Sequence, residues 1–486
     1  MPTTRRTNPD QLTHLQQQLF QTRRSEPQAQ NLWTSLLRAD NLRAAWDRVS
    51  ENAGAETPGV DGVACRHLRG RVDAWLRELS LLLQHQHYEP DSVRLVEVPK
   101  SSGHGMRTLG ILTIRDRVVQ TALKQVLEPL LEPAFAPNSF GFRPGRSVAA
   151  ALDAAVRPLN DSQRPNERRL RVAIQLDVAD CFDSIDHRTL QAQLREHIAD
   201  ERVLALLDLI LNHSGHEVGW WRWRRRVGLV QGSGLSPLLC NLALHPVDQI
   251  LRQAATESSQ RVLGLRYADD LLLLASDFSL ARRNLRAVTR TLAQLRLSLR
   301  RDKLTEARIE DGIEWLGVRI QPRPSLVGRP ARFGYQIPDA KILKMLAALQ
   351  QLTEPPPRLT ATPTACARRG TSVAAHNLDS NQLGPWLKSL NEQLRSWREA
   401  YVFADNAVPV FDLIDQQTQD RVRLVLQRIA SGRGGLDQYR HKLPRGFWTW
   451  KAGGVQLVNL SSLAPRRPDH LVHKPQWMKP SQSRSD

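Results

Sequence analysis

Asp177 closes an apolar run that starts at Leu170, and Asp269 and Asp270 stand together in Tyr267-Ala268-Asp269-Asp270. Carboxylates beside apolar strands cost free energy unless a counter-charge neutralises them, and divalent cations do this well. The short apolar runs 262–266 and 271–275 make the Asp-Asp pair the tip of a hairpin. An Asp-Asp turn alone is ordinary hairpin chemistry. With Asp177 at the end of a further strand, the pattern predicts more. Placing Asp177 beside Asp269 would create a cage for two Mg²⁺ ions about 3.5–4 Å apart. One ion would activate a 3′-hydroxyl and the other would stabilise a pyrophosphate leaving group.

The charge balance fits such chemistry. Lys and Arg number 68 against 49 Asp and Glu, a net charge of +19. This excess favours a polyanionic partner through phosphate contacts and counterion release, although a mere solubility charge would look the same. Hydrophobic residues at 41% and charged residues at 24% exclude a largely disordered chain, and 486 residues predict two to four domains. No run nears the roughly 18 apolar residues of a spanning helix. Met1-Pro2-Thr3-Thr4-Arg5-Arg6 has no apolar stretch behind it, so no signal peptide and a cytoplasmic location are expected. Cys65, Cys181, Cys240 and Cys366 are scattered, with no Cys-x-x-Cys or His-Glu-x-x-His, which excludes a zinc ribbon and a disulfide framework.

Several elements must position the acids. Residues 1–30, rich in Gln, Arg and Thr, predict a mobile arm or a surface helix. Helical spacing covers 32–49, and a strand covers 93–98. A long helix over 113–135 has Thr113 as its cap. Further helices are predicted over 188–197, 203–211, 237–254 and 279–299, with a basic hairpin over 217–230. In Trp220-Trp221-Arg222-Trp223-Arg224-Arg225-Arg226, a strand would put Arg222, Arg224 and Arg226 on one face. That face would contact nucleic acid, or be the solvated side of a packed hairpin. Past Arg319 a Pro- and Thr-rich stretch over 353–372 reads as a loop. Two helices follow, about 379–402 and 411–430, then a basic extension over 433–486.

The ordered set of motifs resembles reverse transcriptases of the bacterial group II intron type. Pro58-Gly59-Val60-Asp61-Gly62 is similar to the N-terminal extension motif, and Val98-Pro99-Lys100, Arg107-Thr108-Leu109-Gly110-Ile111 and Arg115 to Gln120 to the fingers. Ser139 to Ser147 follows as the next block. Leu176-Asp177 to Asp186-His187 looks like motif A, Gln231-Gly232-Ser233-Gly234-Leu235-Ser236-Pro237 like motif B, and Tyr267 to Asp270 like motif C. Lys303 and Trp315-Leu316-Gly317 fall where motif D and the primer grip belong. Leu390-Asn391 to Trp397 and Tyr401 look like the thumb or maturase signature, with Ser396 in place of its usual Gly.

The resemblance implies an α+β right-hand polymerase. Its N-terminal extension and fingers would span 31–165, its palm with an antiparallel sheet 166–335, and its helical thumb 336–432. It implies an RNA-directed DNA polymerase acting on an RNA template, a DNA or RNA primer and dNTPs. Mg²⁺ would be held by Asp177, Val178, Asp269 and Asp270, with Mn²⁺ able to substitute. Lys100 and Arg107 would meet the triphosphate, and Val178, Gln231 and Gly232 would line the nucleotide. Phe182, five residues past Asp177, would be an aromatic gate against a 2′-hydroxyl, unless it is simply core. Lys303 would protonate the leaving pyrophosphate. Arg143, Arg146, Arg222, Arg224, Arg226, Trp315, Gly317, Arg395 and Trp397 would contact nucleic acid.

The insertion at 353–372 and the lack of a Cys/His endonuclease domain favour a domesticated relative, tied to CRISPR or another phage-defence locus, with adaptation proteins or intron RNA as further partners. The competing reading is an RNA-binding maturase or splicing cofactor with little synthesis; the intact set of acids argues against it.

Overall fold

The computed structural model describes residues 9–25, 31–99, 106–161, 166–213, 217–218, 221–222, 226–259, 261–323, 332–353, 383–430, 435–442, 448–461, 463 and 475–478. The chain forms two compact units, Met1–Ala307 with Val472–Asp486, and Arg308–Leu471.

The first unit opens with α1 (Pro9–Ser25), so of the two expectations for this stretch the helix holds over this span and the mobile arm does not. Leu12, Leu15 and Leu19 recur at helical spacing and are buried, and Gln16 Nε2 donates to Gln125 O at 3.0 Å. The Gln-rich background hid this apolar stripe. The helix expected over 32–49 is two, α2 (Leu32–Leu37) and α3 (Ala39–Glu51), because Arg38 is extended between them. Then come α4 (Val72–Gln84) and the antiparallel hairpin of β1 (Arg94–Pro99) and β2 (Met106–Ile111). Thr113 caps α5 (Ile114–Leu131) as expected, its hydroxyl accepting the Asp116 N–H at 3.3 Å. Val118, Val119, Ala122, Leu123, Val126 and Leu127 bury this helix, which packs against α1 and α3.

After α6 (Val148–Val156) the chain enters β3 (Val172–Asp177), α7 (Cys181–Ser184), α8 (His187–Arg195) and α9 (Glu201–His213). The predicted basic hairpin contains β4 (Glu217–Val218) paired with β5 (Trp221–Arg222). The single helix expected over 237–254 is α10 (Ser236–Ala243) and α11 (His245–Glu257), which restarts with Pro246 in its first turn. β6 (Val262–Tyr267) and β7 (Asp270–Ala275) form the predicted hairpin, followed by α12 (Phe278–Gln294) and β8 (Thr305–Arg308). The four-stranded sheet has the order β6-β7-β3-β8, with β7 antiparallel to both β6 and β3. Leu271 to Leu274 of β7 are all buried, as a continuous apolar run in a covered strand requires. α11 packs on β6, and α12 on β7 and β3.

In the second unit, β9 (Ile313–Trp315), β10 (Val318–Pro322) and β11 (Phe333–Gln336) make one antiparallel sheet. α13 (Asp339–Thr353), α14 (Leu383–Tyr401) and α15 (Ala407–Ile429) follow. Leu387, Leu390 and Leu394 of α14 share a core with Phe411, Ile414, Val422 and Leu426 of α15. The C-terminal extension supplies β12 (Arg440–Lys442), β13 (Trp448–Ala452) and β14 (Val455–Gln456), a small sheet that its basic composition concealed. Beyond Thr353, the Pro- and Thr-rich stretch lies outside the described residues. Among them, no helix is long and apolar enough to cross a membrane.

Candidate active site

The register of the sheet assembles the acids. Asp177, last in β3, pairs with Asp270, first in β7, and Asp270 also pairs with Tyr267 across the hairpin. Asp269 therefore sits on the two-residue turn, where its carbonyl accepts the Val178 N–H at 3.1 Å. Burial raises the Asp269 pKa, and the negative charge of Asp177 raises it further, while Lys303 and Arg300 oppose the shift. Lys303 Nζ donates to Asp177 Oδ2 at 2.8 Å. Arg300 Nε lies 3.9 Å from Asp177 Oδ1, and its Nη2 donates to Asp180 Oδ1 at 2.9 Å. The backbone holds this cationic segment in place: Arg300 N donates to Asp177 O at 2.8 Å, and Ala179 N to Ser298 O at 2.8 Å. Among the described residues, no three His, Cys, Asp or Glu side chains converge closely enough to enclose an ion as they stand.

Sequence reasoning missed what fixes the turn. Arg266, one residue before Tyr267, is fully buried together with Asp248 of α11. Its Nε and Nη2 donate to Asp248 Oδ1 and Oδ2 at 2.7 and 2.6 Å. Nη2 also donates to Ser139 Oγ at 2.8 Å, and Nη1 to Asn241 Oδ1 at 3.0 Å and to the Ala268 carbonyl at 2.8 Å. The guanidinium has five N–H donors and makes five bonds. Burial works against its charge, yet Asp248 raises its pKa. Ala268 has φ 58°, a left-handed conformation costing a residue with a Cβ about 1–2 kcal/mol. The bond to its carbonyl opposes relaxation of that strain. Gly141 packs beneath, where a Cβ would fall onto the Ala268 nitrogen. A charged residue inside an apolar strand was the available signal; its partners lie too far along the chain to be inferred.

The Gly-rich turn is tied to β2 and to the segment that follows β3. Gly110 N donates to Gln231 O at 2.7 Å, joining β2 to the Gly-rich turn, and Gln231 Nε2 donates to Asp183 Oδ2 at 2.8 Å. Gly232 has φ 108°, and a Cβ there would lie 2.8 Å from Gly110 O, so this close approach requires glycine. Arg107 on β2 is exposed, and Lys100 lies outside the described residues. Phe182 is half-buried and edge-on to the exposed Phe142, with ring centroids 6.1 Å apart. Val178 is buried.

Two of the expected nucleic-acid contacts, Arg143 and Trp315, are corrected by their burial, and Arg146 and Trp397 are partly buried against protein partners. Arg143 is buried against Glu132 at 2.7 Å and donates to the Ala136 and Ser139 carbonyls at 2.6 and 2.8 Å, so its fork organises its own loop. Arg146 donates to Pro137 O at 2.6 Å and stacks over Phe140; burial lowers its pKa to about 10. Trp315 is buried, and Trp397 packs against Tyr401 and Phe411. Gly317 instead forms the β9–β10 turn with Leu316, at φ 83° and 51°. Arg395 and Arg226 are exposed; Arg222 lies in β5, and Arg224 lies outside the described residues.

Paired acids at the end of an antiparallel sheet form the kind of site used by nucleotidyl-transfer enzymes. Residues 98–320 match the reverse transcriptase (RNA-dependent DNA polymerase) family. Protein YkfC of Escherichia coli K12 is 33% identical over 328 residues, 62% of this chain and 84% of YkfC. The group II intron-encoded protein LtrA of Lactococcus lactis is 33% identical over 223 residues, 46% of this chain and 35% of LtrA. A 91 kDa protein in the cob intron of Schizosaccharomyces pombe is 32% identical over 227 residues, 46% of this chain and 26% of that protein. The chain belongs to the reverse transcriptase family of RNA-dependent DNA polymerases. It spans about a third of LtrA's length.

Proposed function

We propose that this chain extends the 3′-hydroxyl of a primer on an RNA template, adding deoxynucleotides by in-line attack on the α-phosphate. In this reading residues 31–165 are the N-terminal extension and fingers, 166–335 the palm and 336–432 the thumb of a right-hand polymerase. The observation that carries it is the β3–β7 register, which sets Asp177 opposite Asp270 and beside Asp269.

Asp177, Asp269 and Asp270, with Val178, are the residues that would hold two Mg²⁺ ions, or Mn²⁺ in their place. The fit rests on their hard carboxylate oxygens and on the ammonium of Lys303 already drawn to Asp177 at 2.8 Å. Bound ions would polarise the phosphate oxygens and make the primer hydroxyl a stronger nucleophile. The chain's own groups orient the substrates. Lys100 and Arg107 neutralise the β- and γ-phosphates. Gln231 and Gly232 lie along the nucleotide, and Phe182 lies under its sugar, excluding a 2′-hydroxyl. Lys303, at the edge of the acids, gives its proton to the leaving pyrophosphate. Arg222, Arg224, Arg226, Arg395 and Gly317 lie along the template–primer duplex.

Primer extension on an RNA template with dNTPs and Mg²⁺ tests this. Asp177→Asn and Asp269→Asn should each lower the rate by at least about 10³-fold, some 4 kcal/mol, with RNA binding kept. Extension by Asp269→Asn at the wild-type rate would remove the acids from the reaction. The proposed setting is a domesticated relative at a CRISPR or other phage-defence locus, supported by the unusual composition of 353–372. Intron RNA encoded around the gene would contradict that setting.

A further inference from the structure

α12 carries four arginines, Arg282, Arg283, Arg286 and Arg290, and no acidic residue over its 17 residues. Its buried face, Ala281, Val288, Thr291 and Leu292, is turned toward β3 and β7. Arg282 is neutralised by Glu306 of β8 at 2.6 Å. Arg283, Arg286 and Arg290 are exposed, and among the described residues none has an acidic group within ion-pair distance. At helical spacing the three lie within an arc of about 60° and along about 10 Å of axis.

A face that only needed solvating would mix its signs, as α4 does with Arg77 and Glu78 and α11 with Arg252 and Glu257. Here like charges stand at i,i+3 and i,i+4, an arrangement that costs a helix about 0.2–0.5 kcal/mol per pair. A row of phosphates would turn that cost into attraction. We infer that the exposed stripe Arg283–Arg286–Arg290 of α12 binds the phosphodiester backbone of RNA at a site separate from the acids of the sheet end. The choice of RNA rests on the proposed template; the placement of the site does not. Because α12 runs antiparallel to β7, Arg290 lies nearer the catalytic end of the sheet and Arg283 farther from it.

The test measures binding without dNTPs, so it stays readable whether or not extension occurs. Arg283→Gln/Arg286→Gln/Arg290→Gln is compared with wild type over a KCl series. The probes are a long structured RNA and a short primer–template hybrid. For the long RNA, the slope of log affinity against log salt should flatten by about 2 to 3, at roughly 0.7–0.9 per phosphate contact. Extension on the short hybrid should stay unchanged. Glu306→Gln, which frees Arg282 into the stripe, should steepen the slope by about one. Thermal unfolding of the triple variant should be no lower than wild type, since it removes repulsion. An unchanged slope, or equal loss on the short hybrid, overturns the inference. So does competition by polyglutamate as strong as by RNA of equal charge, which would point to an acidic protein instead. Competition by DNA of the same length as strong as by RNA would refute the choice of RNA.

Discussion

Lys303 Nζ stands 2.8 Å from Asp177 Oδ2, joining a lysine from the segment after α12 to the acid that ends β3. With Lys303 about half exposed, this pair adds little to stability. Its position matters more, because in the proposed reaction a proton donor beside the acids would serve the leaving pyrophosphate. Lys303→Met should lower single-turnover extension at saturating dNTP by about 10²-fold, within the range of general acid catalysis. A variant that keeps the rate would leave Lys303 with no part in the chemistry.

The guanidinium of Arg266 links Asp248 to the carbonyl of Ala268, and the two roles are separable. Arg266→Met should destabilise the protein by about 3–5 kcal/mol, because Asp248 is left buried and unpaired. Adding Asp248→Leu should recover most of that loss in thermal unfolding. Extension should remain at least tenfold down in the double variant, because the left-handed Ala268 has lost its brace. Full recovery of rate would make Arg266 a packing residue alone.

The contrast between the Lys303–Asp177 pair and the Arg266–Asp248 pair shows what the sequence could reveal. Asp177, Asp269 and Asp270 were legible because strand periodicity and a two-residue turn fix where each points. Thr113 was legible because a cap acts within its own turn. Arg143 was misread: its type suits phosphate, but burial beside Glu132, eleven residues away, uses its donors internally. Trp315 was misread for the same reason, since an aromatic residue serves core and nucleic acid alike. Arg266 and Asp248 were invisible because only the folded sheet brings them together. The leucines of α1 were present but too diluted by glutamine to announce a buried face.

Phe182 and Phe142 meet edge-on at 6.1 Å, so the proposed gate is braced by a second ring. Phe182→Ala should lower discrimination between deoxy- and ribonucleotides at least tenfold, a difference of about 1.4 kcal/mol. The comparison is kcat/KM for dATP against ATP on one template. Unchanged selection would reduce Phe182 to a packing role.

Asp269 is held protonated to higher pH than an ordinary carboxyl, first by burial and then by Asp177. A carboxyl whose folded pKa is raised stabilises the fold fully below the usual carboxylate range, and that contribution is lost as pH rises through the folded value. Without divalent cations, the ionised form of Asp269 therefore weighs against folding as pH rises. Asp269→Asn should melt higher than wild type at pH 7.5 in chelator, and the gap should close as pH falls through the Asp269 pKa. Adding Mg²⁺ should raise the melting temperature of wild type more than that of the variant, by mass action on the folded state. An Asp269→Asn protein that melts lower than wild type at pH 7.5 in chelator would show that the acid is stabilised by its surroundings rather than strained, against the idea that a cation completes the site.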